Sequence, residues 1–398
     1  MSYLALYRKY RPKTFDEVYG QHAIVQTLTN QIKANRIGHA YLFCGPRGTG
    51  KTSIAKIFAK AINCSNPNNG NPCLQCQCCQ ETAQGLNVDI IEIDAASNNG
   101  IDNIRELIEE SRYRPQHGQY KVYIIDEVHM LSNSAFNALL KTLEEPTGNT
   151  IFILATTEMH KVPATIFSRC QRYIFKLLTE EEIVEALQDI LTNEGYKWDN
   201  DNTLFHIAKL AKGGLRDALS MLDQCLNYIS NNIIIYQDVL DIFGEVESVL
   251  ITDMVQAIED SNIELLLDIV SSQEREGKTL SNICISLYEY YKEEYIHNPD
   301  IDIQLYQRYM NILAELSEKM KYNSNRMIFE VEMIRLCKPQ MDTDYSSLYH
   351  RIQQLEDIVE QLLSGQQIVS NNLNINDSEF MTFIVKPQQK IYTEMYYN

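Results

Sequence analysis

The 398-residue sequence contains no run of about 18 or more uninterrupted apolar residues, so no helical membrane span is expected. Its first residues, MSYLALYRKYRP, lack the charged-then-apolar layout of a signal peptide. The expected compartment is therefore the cytoplasm. Thiols stay reduced there, which weighs against reading the ten cysteines as a disulfide framework. No internal repeat is seen. Basic residues are missing where a nucleic-acid finger would need them. Residues 64–79, CSNPNNGNPCLQCQCC, hold five cysteines and no Lys or Arg. A zinc-dependent nucleic-acid reader is excluded on that ground.

Charge is short on one side only. The net charge is -18, yet residues 1–179 carry 19 Lys and Arg against 15 Asp and Glu. The remainder carries 16 against 38. The first part is compatible with a polyanion and the second is not a nucleic-acid surface.

With 44% hydrophobic residues and this length, two or three globular domains are expected. Up to residue 179 the chain alternates strand-like runs, HAYLFCG (39–45), VDIIEID (88–94), YKVYIID (120–126) and TIFILAT (150–156), with amphipathic helical stretches at 104–113 and 132–145. That alternation predicts an α/β domain with a parallel sheet. From 180 to 243 the pattern is purely helical, opening with a capping box at Thr179 and Glu182. A third, all-α segment follows at 244–340. In the tail, 341–398, Leu348, Ile352, Leu355, Val359 and Leu362 step by four and three, a short coiled-coil seam over 348–363.

Gly45-Pro46-Arg47-Gly48-Thr49-Gly50-Lys51-Thr52 fits G-x-x-x-x-G-K-[ST] between a strand and a helix that continues through Ser53. Glycines there let backbone N–H groups close around phosphate oxygens at a helix N-terminus. Lys51 reaches the β- and γ-phosphates of ATP, and Thr52 ligates Mg²⁺. VYIIDEVHML supplies the other half: Asp126 for Mg²⁺ and Glu127 to orient and deprotonate the attacking water. This pair of motifs predicts an ATPase. Thr156 and Thr157, ending the next strand, read alone as structural. Arg169 (in Ser168-Arg169-Cys170) and Arg216 (in GGLRDALSML) read alone as surface arginines. The cysteine cluster, in a segment too poor in apolar residues for a core, reads as a metal site, with disulfide or redox chemistry as the alternatives. Cys78 and Cys79 are adjacent, and local chemistry does not choose between them.

Taken together, YRKYRPKTFDEVYGQ, GPRGTGKTSIAK, IEIDAASNNGIDNIREL, VYIIDEVHMLSNSAFNALLKTLEEP, ILATTE, SRCQRYIF and GGLRDALSMLDQ resemble the gamma/tau subunits of the bacterial DNA polymerase III clamp loader, members of the AAA+ ATPases. The resemblance covers about residues 1–340. It implies a RecA-like AAA+ domain over 1–179, a helical lid over 180–243 and a helical collar over 244–340. It makes Arg169 an arginine finger acting on the neighbouring subunit's ATP. Thr157, with Thr156, becomes the first sensor, and Arg216 the second. Tyr7, Arg8, Arg11 and Pro12 fall in the segment beside the adenine. The family's C-x8-C-x2-C-x2-C spacing selects Cys64, Cys73, Cys76 and Cys79 for a structural Zn²⁺ in an inserted module (64–79).

The function so implied is that of the ATP-hydrolysing motor subunit of the replicative clamp loader, which opens the sliding clamp and places it on primed DNA. Its implied partners are companion subunits and copies of itself in a five-membered ring, the clamp, and DNA through its phosphate backbone. Helix starts near 97–102 and 131–136 are candidate DNA contacts. The tail is shorter than in the family's long form, whose extra domains bind polymerase and helicase. The alternatives are a structural organiser of the replisome and another AAA+ DNA-remodelling ATPase.

Overall fold

The computed structural model describes residues 3–146, 149–243, 248–275, 277–298, 302–320 and 325–338, with isolated positions 352, 355, 356 and 359. It divides into two compact units, Met1–Phe243 and Gly244–Asn398.

The first unit opens with α1 (Leu6–Lys9) and α2 (His22–Lys33), followed by β1 (Ala40–Cys44) and α3 (Lys51–Ile62). Then come α4 (Gln77–Gln84), β2 (Ile90–Asp94), α5 (Ile101–Glu110), β3 (Lys121–Asp126), α6 (Asn133–Glu144), β4 (Thr150–Thr156), α7 (Ala164–Phe167) and β5 (Gln171–Ile174). The five strands form one parallel sheet in the order β2-β3-β4-β1-β5. Side chains alternate between its faces, so β1 sends Tyr41 and Phe43 one way and Ala40, Leu42 and Cys44 the other. The first face is covered by Leu28 of α2 and by Ile54, Ile57 and Phe58 of α3. Tyr41 meets Phe58 edge-on at 4.9 Å between ring centroids. The second face is covered by Ile104 and Leu107 of α5 and by Ala135, Phe136, Leu139 and Leu143 of α6. A sheet buried on both sides needs near-continuous apolar strands, and β4, TIFILAT, is buried along its whole length.

The strand β5 was not among the runs expected from sequence. QRYI is mostly exposed and carries a charge, as an edge strand tolerates, so no apolar run marks it. Pairing with β1, Tyr41 opposite Gln171, is what makes it a strand.

The rest of this unit comprises α8 (Glu180–Glu194), β6 (Lys197–Trp198), α9 (Asp201–Leu210), α10 (Leu215–Tyr228), β7 (Ile233–Ile234) and α11 (Tyr236–Phe243). Thr179 caps α8, accepting from the Glu182 N–H while the Glu182 carboxylate accepts from Thr179 N–H, the box the sequence indicated. The helices share a core built on Ile183, Leu187, Leu191, Leu204, Ile207, Leu219 and Leu222, and Leu6 of α1 is buried in it. The N-terminal segment thus packs on these helices. The expectation of a purely helical stretch needs one correction, because β6 and β7 form a two-residue parallel ladder.

The second unit is α12 (Ser248–Glu259), α13 (Ile263–Arg275), α14 (Leu280–His297), α15 (Ile303–Met320) and α16 (Arg326–Cys337) around its own core. Tyr291 is fully buried there, 4.8 Å from the Tyr309 ring. Glu332 of α16 is also buried, and Lys319 bonds it at 2.8 Å. The heptad segment 348–363 lies largely outside the described residues. Ile352, Leu355 and Val359 are described as helical and exposed. Among the described residues no helix is long and apolar enough to cross a membrane.

Candidate functional site: a phosphate loop and a four-thiol cluster

The site lies at the carboxyl ends of β1, β3 and β4, where parallel sheets bind ligands. The loop Gly45–Gly50 joins β1 to α3. The Gly45 N–H donates to the Thr156 carbonyl at 3.2 Å, tying loop to β4. Gly48 and Gly50 have φ of +79° and +91°, which a side chain would strain. A Cβ on Gly45 would lie 2.5 Å from the Phe175 carbonyl oxygen, so the loop's first position admits only glycine. Inside this turn Thr49 Oγ1 donates to the Pro46 carbonyl at 2.9 Å.

Lys51 is buried, and its ammonium donates to the carbonyls of Gly45 (2.8 Å) and Pro46 (2.7 Å). Burial pulls its pKa below the ordinary lysine value, while Glu127 and Asp126 act in the opposite sense. A cation already folded into the loop is poised for an anion, which would relieve that burial cost. Thr52 Oγ1 donates to Asp126 Oδ2 at 2.6 Å. The hydroxyl and carboxylate expected to share a Mg²⁺ are therefore adjacent, and as hard oxygen donors they suit that ion.

Glu127 stands just past β3 in the left-handed region, φ +48°. Its carboxylate accepts from Thr157 Oγ1 at 2.8 Å and from the Thr157 N–H at 3.3 Å. Thr156 is fully buried, with its Oγ1 3.0 Å from His129 Nδ1 and accepting from the Glu158 N–H. His129 and Glu158 escaped the sequence reading. The His129 ring also lies 3.4 Å from Glu127 and 3.3 Å from Glu158. The available signal was its place in DEVHML, two residues after Glu127 at a strand end.

The N-terminal segment and α10 reach the same loop. The Arg216 guanidinium lies over the Tyr7 ring at 5.0 Å, and Arg8 lies 5.7 Å from the same ring. Arg11 Nε donates to Ser53 Oγ at 3.2 Å, at the start of α3. Pro12, half-buried, follows. A Cβ on Gly48 would lie 3.1 Å from Gly214 Cα, so the start of α10 is close against the loop beside Arg47. Arg169 is placed differently. Its bonds run to Glu144, to the Thr165 carbonyl (2.6 Å) and to Ser168 Oγ (3.1 Å), not to the phosphate loop.

The second site is the cysteine cluster. The sulfurs of Cys64, Cys73, Cys76 and Cys79 all lie within 4.8 Å of one another, with Cys64 and Cys76 3.9 Å apart. A Zn–S bond of about 2.3 Å in a tetrahedron sets sulfurs about 3.8 Å apart, so the set fits that ion. Backbone N–H groups of Cys73 and Cys76 donate to Cys64 and Cys73 sulfurs at 3.2 and 3.3 Å, as around thiolate ligands. Although burial pushes the Cys76 thiol up, N–H donors and neighbouring thiols hold it down at about 6.

Cys78 is outside the set. Successive helical residues point about 100° apart, and α4 turns Cys79 to the cluster and Cys78 to Asn87, whose Nδ2 donates to its sulfur at 3.3 Å. All ten cysteines are free thiols. Asn71 fixes the module to the body, accepting from the Phe15 N–H at 2.7 Å and donating to Asp16 at 2.9 Å.

Comparison with known proteins bears on this arrangement. Residues 20–179 match the family model "DNA polymerase III, delta subunit", and residues 182–231 match "DNA polymerase III clamp loader subunit, ATPase lid domain". The tau subunit of Bacillus subtilis DNA polymerase III is 41% identical over 390 residues, covering 91% of this chain and 69% of its own length. Escherichia coli tau is 43% identical over 70% of this chain, which spans 43% of that protein. The gamma subunit of Buchnera aphidicola subsp. Acyrthosiphon pisum is 42% identical over 68% of this chain and 76% of its own length. Among solved structures, the Thermotoga maritima RuvB Holliday junction branch migration motor covers 63% of this chain and 80% of its own at 18% identity and a TM-score of 0.45, too distant to carry an argument.

Proposed function

The chain belongs to the gamma/tau family of DNA polymerase III clamp-loader subunits, and from that premise we propose that it hydrolyses ATP within a five-membered ring to open the sliding clamp and set it on primed DNA. The observation that carries this reading is the gathering of Lys51, Thr52, Asp126, Glu127 and Thr157 at one end of the sheet.

Lys51 exchanges the Gly45 and Pro46 carbonyls for phosphate oxygens. Thr52 and Asp126 hold Mg²⁺, which when bound supplies neutralisation of phosphate charge. Glu127 orients the attacking water and takes its proton, and Thr157 fixes the carboxylate for that task. Arg216 of α10, over the Tyr7 ring, senses the bound nucleotide beside Arg8, Arg11 and Pro12. Arg169 supplies the transition-state charge on a neighbour's nucleotide, so hydrolysis proceeds only when subunits are in register. Cys64, Cys73, Cys76 and Cys79 hold a structural Zn²⁺ whose binding energy folds the inserted module.

Residues 1–179, with 19 basic against 15 acidic side chains, provide phosphate-backbone contacts to DNA, with the helix starts at Ile101 and Asn133 as the contact points. The acidic helices of 244–340 form the collar between companion subunits and copies of this chain. The tail 341–398 offers the contact for polymerase or helicase, and the protein works in the cytoplasm. A structural organiser without hydrolysis has no use for the complete set from Lys51 to Glu127.

The test is steady-state ATP hydrolysis with and without primed DNA, clamp and companion subunits. Wild type is expected to be strongly stimulated. Arg169→Ala should keep ATP binding and lose the stimulation by a factor on the order of 10³, the low end for such arginines. A rate indifferent to clamp and DNA would remove the clamp-loader reading.

A further inference from the structure

Arg169 leaves β5's leading edge with its backbone fixed. Its N–H donates to the Ile166 carbonyl at 3.1 Å, and Gln171 two residues on is paired with Tyr41. Only the side chain is free to choose a partner. In this chain it has chosen Glu144: Nε donates to Oε1 at 2.8 Å and a terminal nitrogen reaches the same oxygen, while the other terminal nitrogen is taken by the Thr165 carbonyl and Ser168. All three guanidinium nitrogens are thus spent on the subunit that carries them.

Glu144 is the last residue of α6, where unpaired carbonyls carry negative partial charge. A carboxylate there is disfavoured unless a cation covers it, and Arg169 is that cation. The pair is accessible, with side chains 29% and 47% exposed. An ion pair this exposed is weak, so the higher charge of a nucleotide's terminal phosphate displaces it without disturbing the core.

We propose that Glu144 is a positioning residue that holds the Arg169 guanidinium on its own subunit until a neighbour's nucleotide displaces it. The inference rests on the reading of Arg169 as a finger acting in trans. Glu144 then sets a threshold: hydrolysis in a ring not yet closed on clamp and DNA is suppressed because the finger has a competing partner. It touches neither substrate nor reacting atoms.

The experiment uses the full complex and reads ATP hydrolysis without and with clamp and primed DNA. Glu144→Ala is expected to raise the unstimulated rate about two- to five-fold, the range an exposed ion pair supports. Its fully stimulated rate should stay near wild type, so the stimulation ratio falls. Glu144→Gln, which keeps an acceptor and loses the charge, should fall between. In an Arg169→Ala background, adding Glu144→Ala should change nothing, which a general structural effect would not reproduce.

An unstimulated rate unchanged in Glu144→Ala, with Arg169→Ala still defective, overturns the restraint alone. A stimulated rate lowered in Glu144→Ala to the level of Arg169→Ala overturns it too, because Glu144 would then aim the arginine at its target. If Arg169→Ala itself is as active as wild type, the finger reading fails and the restraint falls with it.

Discussion

Cys78 and Cys79 differ by one position, and that position decides what each sulfur does. Local chemistry alone left both in contention for the fourth thiolate, and only the family's spacing favoured Cys79. The helix α4 separates them, turning Cys79 to Cys64, Cys73 and Cys76 and leaving Cys78 on Asn87. Cys78→Ser is therefore expected to keep one zinc per chain, with a small loss of stability from the changed contact. Cys79→Ser should lose most of the metal and melt earlier, as chelation of the wild type should. Metal content by elemental analysis, read beside a melting curve, checks both. Equal zinc loss in the two variants would sink the assignment. At this scale the sequence showed which chemistry was present through residue type and spacing. It could not show direction, and for the same reason His129 went unnoticed. Its ring bridges Thr156, Glu127 and Glu158 only because the turn after β3 folds back on the end of β4.

Elements show a different limit. The strands β1, β3 and β4 were legible because each is covered on both faces and so reads as a continuous apolar run. Of the edge strands, β2 was found and β5 passed over, since edge exposure lets polar residues in. In the connection between α5 and β3, residues 116–118 are held by one buried carboxylate. Asp89 accepts the N–H groups of Gln116, His117 and Gly118 at 2.7, 2.7 and 2.8 Å. Burial pushes its pKa up, but the three donors outweigh it and hold it below the ordinary 3.8. A depressed folded-state value means stability that is complete above pH 3.8 and is lost as pH falls through the lower folded value. Asp89→Asn should accordingly cost about 1–3 kcal/mol at neutral pH, with the gap to wild type closing in strong acid. Denaturant midpoints taken at pH 7 and near pH 3 test this, and a gap that stays constant would refute it.

On the scale of the whole chain, the division at Phe243 follows from where apolar side chains gather. Residues up to 243 bury their own three clusters, and α12 to α16 bury a separate one. Residues 1–243 made alone should fold and bind ATP, yet hydrolyse it at a rate that clamp and DNA do not change. Nucleotide titration by fluorescence, followed by the hydrolysis assay, reports both; a fragment that binds no ATP would show that the second unit is needed for the site. The order of strands in the sheet carries one more consequence, for synthesis. β1 ends at the phosphate loop and comes first off the ribosome, but its neighbours are β4 and β5, made from residues 150–156 and 171–174. A nascent chain can pair β2 with β3 as they emerge, while the loop's own strand waits unpaired. The growing polypeptide therefore cannot capture ATP until nearly the whole sheet has been translated, and the nucleotide takes no part in guiding its earliest folding.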